Sequence, residues 1–190
     1  MRRGFKSGCE LTANRYRKRL GISLQTALPY KDLATELGIL LWTAADVPGL
    51  DDDTVHQLSV VDADAWSAVT VKLDERHAIV VNAAQNRRRI PNSVAHELAH
   101  IILGHSPARV DISEDGHLWL STYGDEQERE ADWLAATLLL PRDGLLQSFA
   151  RHRDVESVAM QFRVSRELVR WRLNATGVAR QVNGRTVDGS

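Results

Sequence analysis

Leu11, Tyr16 and Leu20 recur near helical spacing and predict a helix over residues 10–20. A second, shorter helix over residues 31–37 stops at Gly38. Residues 39–43 form a short apolar run that reads as a strand. The turn dipeptide Pro48-Gly49 and an acidic loop at Asp51, Asp52 and Asp53 follow. Three apolar, Val-rich runs come next, at 58–61, 66–73 and 77–82, and read as strands, with Asp74 and Glu75 where a hairpin turn belongs. The period then changes. Residues 91–103 enter through Pro91-Asn92-Ser93 and leave at Gly104, the punctuation of a helix. Residues 125–140 read as another helix, stopped by Pro141. Strands first and helices afterwards predict an α+β fold rather than a wound parallel sheet.

The tail keeps the helical period. Val158, Ala159, Phe162 and Val164, then Leu168, Val169 and Leu173, fit two short helices around a turn at Val164-Ser165, with Ser165 capping the second. This is a helix-turn-helix-like pattern, and Arg166, Arg170 and Arg172 could meet phosphates. The preferred reading is a helical cap on the core with its arginines in water. DNA contact by these helices is the alternative.

Composition narrows the classes. The 190 residues carry 24 Lys plus Arg against 25 Asp plus Glu, a net charge of −1, which excludes a polycation that coats nucleic acid. One cysteine, Cys9, excludes an intrachain disulfide and zinc-finger chemistry, so any metal must be held by His and carboxylates. The longest apolar stretches, such as residues 133–140, are far short of a membrane span. The basic N-terminal segment lacks the apolar core of a secretory signal, so the expected location is cytoplasmic.

The charges are blocked. Residues 1–20 hold seven basic groups against Glu10, and residues 111–132 hold eight acids against Arg129. The simplest reading of each block is a solvated face. Part of the second block, however, bears on the most informative segment of the chain, His96-Glu97-Leu98-Ala99-His100. Two histidines four apart on a helix lie roughly 40° apart around its axis and can share one zinc ion. Glu97 flanks the metal without having to bind it, the place for a carboxylate that takes a proton from water. A zinc site needs a third protein ligand. Ser106 stands where a third histidine of one common pattern would fall, and His105 follows the helix-breaking Gly104. A carboxylate from the helix at 125–140 is the other solution. Glu128 shares a face with Asp132, which could accept a hydrogen bond from a ligand histidine. Glu130 points roughly 160° away from Glu128, but it has Leu134 and Leu138 on its own track and could also point inward. Tyr123, His105 and His117 are candidate donors to a developing oxyanion, none singled out by spacing. Residues 78–82 could be an edge strand that pairs with an extended substrate, or an ordinary core strand. His56, His77 and His152 have no motif support.

The stretches HELAHIILGH at 96–105 and EREADWLAATLLLP at 128–141 resemble the ImmA/IrrE family of zinc metallo-endopeptidases. AIVVNAA at 78–84 and RGFKSGCE at 3–10 add to the likeness, which covers roughly residues 3–150. The resemblance implies a small gluzincin-like core, with a short antiparallel sheet packed on the His-Glu-x-x-His helix and a second ligand-bearing helix. It implies Zn2+ on His96, His100 and Glu128, with Glu97 as catalytic base. It also implies a protein substrate, a repressor of the helix-turn-helix type or an antitoxin. Relatives switch on mobile-element or stress-response genes in this way, and others sit beside toxin–antitoxin modules. The expected organisation is a peptidase domain over 1–150 and a short helical extension over 151–190 with a flexible end. A non-cleaving zinc protein that binds DNA or a partner repressor is the alternative function. Glu97 argues against it, since a structural site needs no base.

Overall fold

Cys9, Ala13 and Arg17 recur four apart and form the buried face of α1 (Phe5–Arg19), the first element in a computed structural model of the chain. The structure describes residues 1–73, 76–87, 89–105, 110–112, 118–120 and 123–184. α2 (Tyr30–Glu36) buries Leu33 and Ala34, and β1 (Leu40–Trp42) follows. α3 (Asp52–His56) is capped by the Asp51 carboxylate, which accepts from the Thr54 amide at 2.7 Å.

Residues 57–61 continue α3 as a π-helical turn, so the strand expected at 58–61 is not formed. The Asp51 cap starts the helix, and the Trp66 indole donates to the Leu58 carbonyl at 2.9 Å. These local bonds override the β preference of Val60 and Val61, which stay exposed.

β2 (Ala68–Leu73) and β3 (Arg76–Val81) pair antiparallel, from Ala68 opposite Val81 to Leu73 opposite Arg76. β1 pairs with β3 in parallel, Leu40 opposite Ala78 and Trp42 opposite Val80. The sheet order is β1-β3-β2. One expectation is thereby corrected, and one open choice is decided. The sheet is mixed rather than antiparallel, because residues 43–67 carry the chain across before β2 begins. Residues 78–81 belong to the central strand, with Ala78, Ile79 and Val80 buried, and are not an edge.

Pro91 falls in the first turn of α4 (Ile90–Leu103), and Gly104 ends the helix at φ 68°, a left-handed conformation that glycine adopts without strain. β4 (Val110–Ile112) and β5 (Leu118–Leu120) form a separate antiparallel pair. α5 (Asp125–Leu139) packs along α4. Ala95 and Ala99 on α4, and Ala131 and Ala135 on α5, are buried and small enough to bring the two backbones close. The tail forms α6 (Arg142–His152), α7 (Val155–Phe162), α8 (Arg166–Ala175) and α9 (Val178–Gly184). Ser165 caps α8 as expected, accepting from the Leu168 amide at 3.1 Å. The described residues thus form an α+β fold of nine helices around a three-stranded mixed sheet, with the small β4–β5 pair apart from it.

A single hydrophobic cluster runs from Ala13 and Leu33 through Ile79, Leu98 and Leu134 to Phe162, Val169, Leu173 and Val182. Two buried arginines stitch it at the end of α5. Arg17 Nη1 donates to the carbonyls of Ser23 and Thr26 at 2.9 and 2.7 Å, and Nη2 to those of Leu138 and Leu139 at 3.0 and 3.3 Å. Burial lowers its pKa to about 10, so it is still a cation at neutral pH, facing the negative end of the α5 dipole. Arg172 Nε donates to the Leu140 carbonyl at 3.0 Å, and its Nη2 pairs with Glu10 on α1. Arg172 is fully buried, so it neither lies in water nor reaches toward phosphates. Arg166, by contrast, is exposed and pairs with Glu156 at 3.2 Å. No helix among the described residues is long and apolar enough to cross a membrane.

Candidate metal centre

The i, i+4 spacing on α4 puts His96 and His100 on one face, with their Nε2 atoms 3.1 Å apart. His100 is buried, and His96 is partly open. From α5, Glu128 Oε2 comes within 3.1 Å of His96 Nε2 and 3.7 Å of His100 Nε2. One potential ligand atom from each of the three lies within 4.8 Å of the others. The remaining ring nitrogens face away from this point and are held. His96 Nδ1 meets Asp132 Oδ1 at 3.0 Å, and His100 Nδ1 meets His105 Nδ1 at 3.1 Å. Two imidazoles turned Nε2-first toward one carboxylate oxygen fit a divalent metal such as zinc.

The electrostatics of His100 agree with this fit. Burial, reinforced by the neighbouring His96 and His105, pushes the His100 pKa down to about 3, so the ring is the neutral form a metal requires. Burial also pulls on His96, but the Asp132 hydrogen bond and the charges of Glu97, Asp132 and Glu128 outweigh it and raise its pKa.

Glu97 stands beside this trio. Burial raises its carboxyl above the ordinary range, and the nearby Glu128 charge adds to the rise. Thr70 and His96 pull the other way. Thr70 Oγ1 on β2 donates to Glu97 Oε2 at 2.7 Å. Thr70 is a site residue that no sequence signal marked, since a threonine in a strand is commonplace and its partner lies 27 positions away.

The other candidates separate cleanly. Tyr123 stacks its ring on His100, with centroids 3.6 Å apart. Burial, with the charges of Glu97 and Glu128, pushes its pKa up to about 12, so its hydroxyl keeps its proton. His105 lies behind His100, turned from the Nε2 side, with Nε2 3.5 Å from Glu130 Oε2. With its Nδ1 against His100 Nδ1 and its Nε2 toward Glu130, it is not placed to donate to a substrate oxygen on the Nε2 side of His100. Glu130 therefore faces His105, and Glu128 faces His96 and His100. His117 lies outside the described residues.

A helix bearing His-Glu-x-x-His, completed by a carboxylate from a second helix, is the donor set of a metallopeptidase. The chain belongs to peptidase family M78, whose IrrE N-terminal-like domain matches residues 54–174. A search of curated proteins finds no match.

Proposed function

We propose that the chain is a zinc-dependent endopeptidase whose metal is held by His96, His100 and Glu128. The observation that carries this reading is the convergence of their three ligand atoms beside the half-buried Glu97. At a given nitrogen–oxygen site zinc binds more tightly than manganese or ferrous iron, and a His-Glu-x-x-His helix is the setting in which zinc serves hydrolysis. Bound there, zinc would supply Lewis acidity, lowering the pKa of water to about 7 and polarising a peptide carbonyl.

The chain's own groups do the rest. Thr70 holds Glu97 Oε2, which leaves Oε1 to take the proton of the attacking water and return it to the leaving amine. Tyr123 offers a protonated hydroxyl to the developing oxyanion. β1 and β2 are the two edges of the sheet, and β2, paired with β3 on one side, carries Thr70. An extended peptide added to its other side would run past Glu97. The substrate we propose is a helix-turn-helix repressor or an antitoxin, a reading supported by the family resemblance of residues 96–105 and 128–141.

The test is to incubate zinc-loaded protein with a repressor encoded beside its gene. Cleavage by wild type that Glu97→Gln abolishes is expected. Tight association with no cleavage by either would favour the non-cleaving regulatory protein instead.

A further inference from the structure

Behind the proposed ligand His100 lies a second imidazole that the reaction above does not use. Gly104, at φ 68°, turns the chain back so that the His105 amide donates to the His100 carbonyl at 3.0 Å. That turn lays the His105 ring against His100, Nδ1 to Nδ1 at 3.1 Å, with only 7% of the side chain exposed. On its far side, Glu130 Oε2 lies 3.5 Å from His105 Nε2, itself only 16% exposed.

Two facing nitrogens can share one proton in two ways, and metal binding selects one. If His100 gives its Nε2 lone pair to a metal, its proton sits on Nδ1 and must be donated. His105 then accepts at Nδ1 and carries its own proton on Nε2, the side on which the Glu130 carboxylate lies at 3.5 Å, where its negative charge favours that proton. His96 is oriented more directly, by Asp132 at 3.0 Å.

We propose that His105 and Glu130 are positioning residues, a carboxylate–histidine relay that holds His100 in its metal-binding tautomer. This rests on the reading of His96, His100 and Glu128 as a metal centre. It gives α5 two separate duties: Glu128 completes the ligand set, while Glu130 and Asp132 each orient one of the two ligand rings, Glu130 through His105.

Two measurements test it, neither of them activity. In zinc-loaded wild type labelled with 15N-histidine, the ring shifts report tautomers: His105 should carry its proton on Nε2 and His100 on Nδ1. In competition with a chromophoric chelator, His105→Phe, which keeps the ring volume but has no acceptor, should weaken zinc binding about 10–100-fold. His105→Asn should recover most of the loss, because its Oδ1 falls near the lost Nδ1. An unfolded His105→Phe leaves the tautomer measurement to decide. His105 protonated on Nδ1, or a folded His105→Phe within two-fold of wild-type affinity, overturns the relay alone. A wild type whose zinc affinity is no better than that of His96→Ala removes the metal centre, and the relay with it.

Discussion

At the scale of single residues, the tension around Glu97 is the feature most open to experiment. Burial destabilises its charged form, and the Thr70 hydroxyl partly offsets this. Glu97→Gln should match the wild-type affinity for zinc and lose about 10²–10⁴ in turnover, checked by metal content and peptide cleavage on the same zinc-loaded preparation. The same change should not weaken the fold. A carboxyl whose folded pKa is raised contributes stability below its unfolded pKa and loses it as pH rises through the folded value. At neutral pH the metal-free Gln variant should therefore melt no lower than wild type. Thr70→Val removes a donor that lowers the Glu97 pKa, so Glu97 should hold its proton to higher pH. The acid limb of kcat/KM should then move upward, and an unmoved limb would show that Thr70 does not act on Glu97.

At the scale of elements, the close of α5 is held by side chains from both flanks of the sequence. Arg17→Met would leave the Leu138 and Leu139 carbonyls without their donor, at a cost of about 2–3 kcal/mol in a denaturant melt. Gly144 on α6 is a tighter constraint. A Cβ there would lie 2.0 Å from the Leu24 carbonyl oxygen, a backbone atom that no rotamer change can move aside. Gly144→Ala should cost about 1–3 kcal/mol, and a neutral result would mean that the loop yields freely. Neither constraint was legible in the sequence, because both join residues more than a hundred positions apart. What was legible is local. α4 and α5 announced themselves through Pro91, Gly104 and Pro141, and the two histidines of α4 through a spacing that one helix turn makes meaningful. Asp132 on its face favoured Glu128 over Glu130, but Leu134 and Leu138 on the Glu130 track left the choice open until the structure set Glu128 against His96 and His100. Strand order was not legible, since the pairing of β1 with β3 is decided by where the intervening chain goes. The Val-rich run at 58–61 misled for the same reason: β preference becomes a strand only where a sheet edge receives it.

At the scale of the whole molecule, the family match over residues 54–174 is smaller than the unit that shares one core. α1 supplies Cys9 and Ala13 to that core, and the tail supplies Phe162, Val169 and Leu173. A chain ending at Ala150 would lack the second set, uncover the core it packs against and leave Glu10 without Arg172, and a fragment cut to 54–174 would lose Arg17 and Glu10. Both should be insoluble or fail to melt cooperatively, as judged by calorimetry and tryptophan fluorescence. A well-folded fragment of either kind would show that the arginine stitches are dispensable. The stitches also bear on how the protein is made. Arg17 waits for carbonyls 121 and 122 residues away, and Glu10 for a guanidinium 162 residues away. At about 5–20 residues per second on the ribosome, the helix made first stays without its partners for on the order of ten seconds. A nascent chain in that interval has His96 and His100 but no finished wall behind them. Proteolytic competence should therefore arrive late in synthesis, once α8 has emerged, and the growing chain should pose little hazard to itself or to its neighbours.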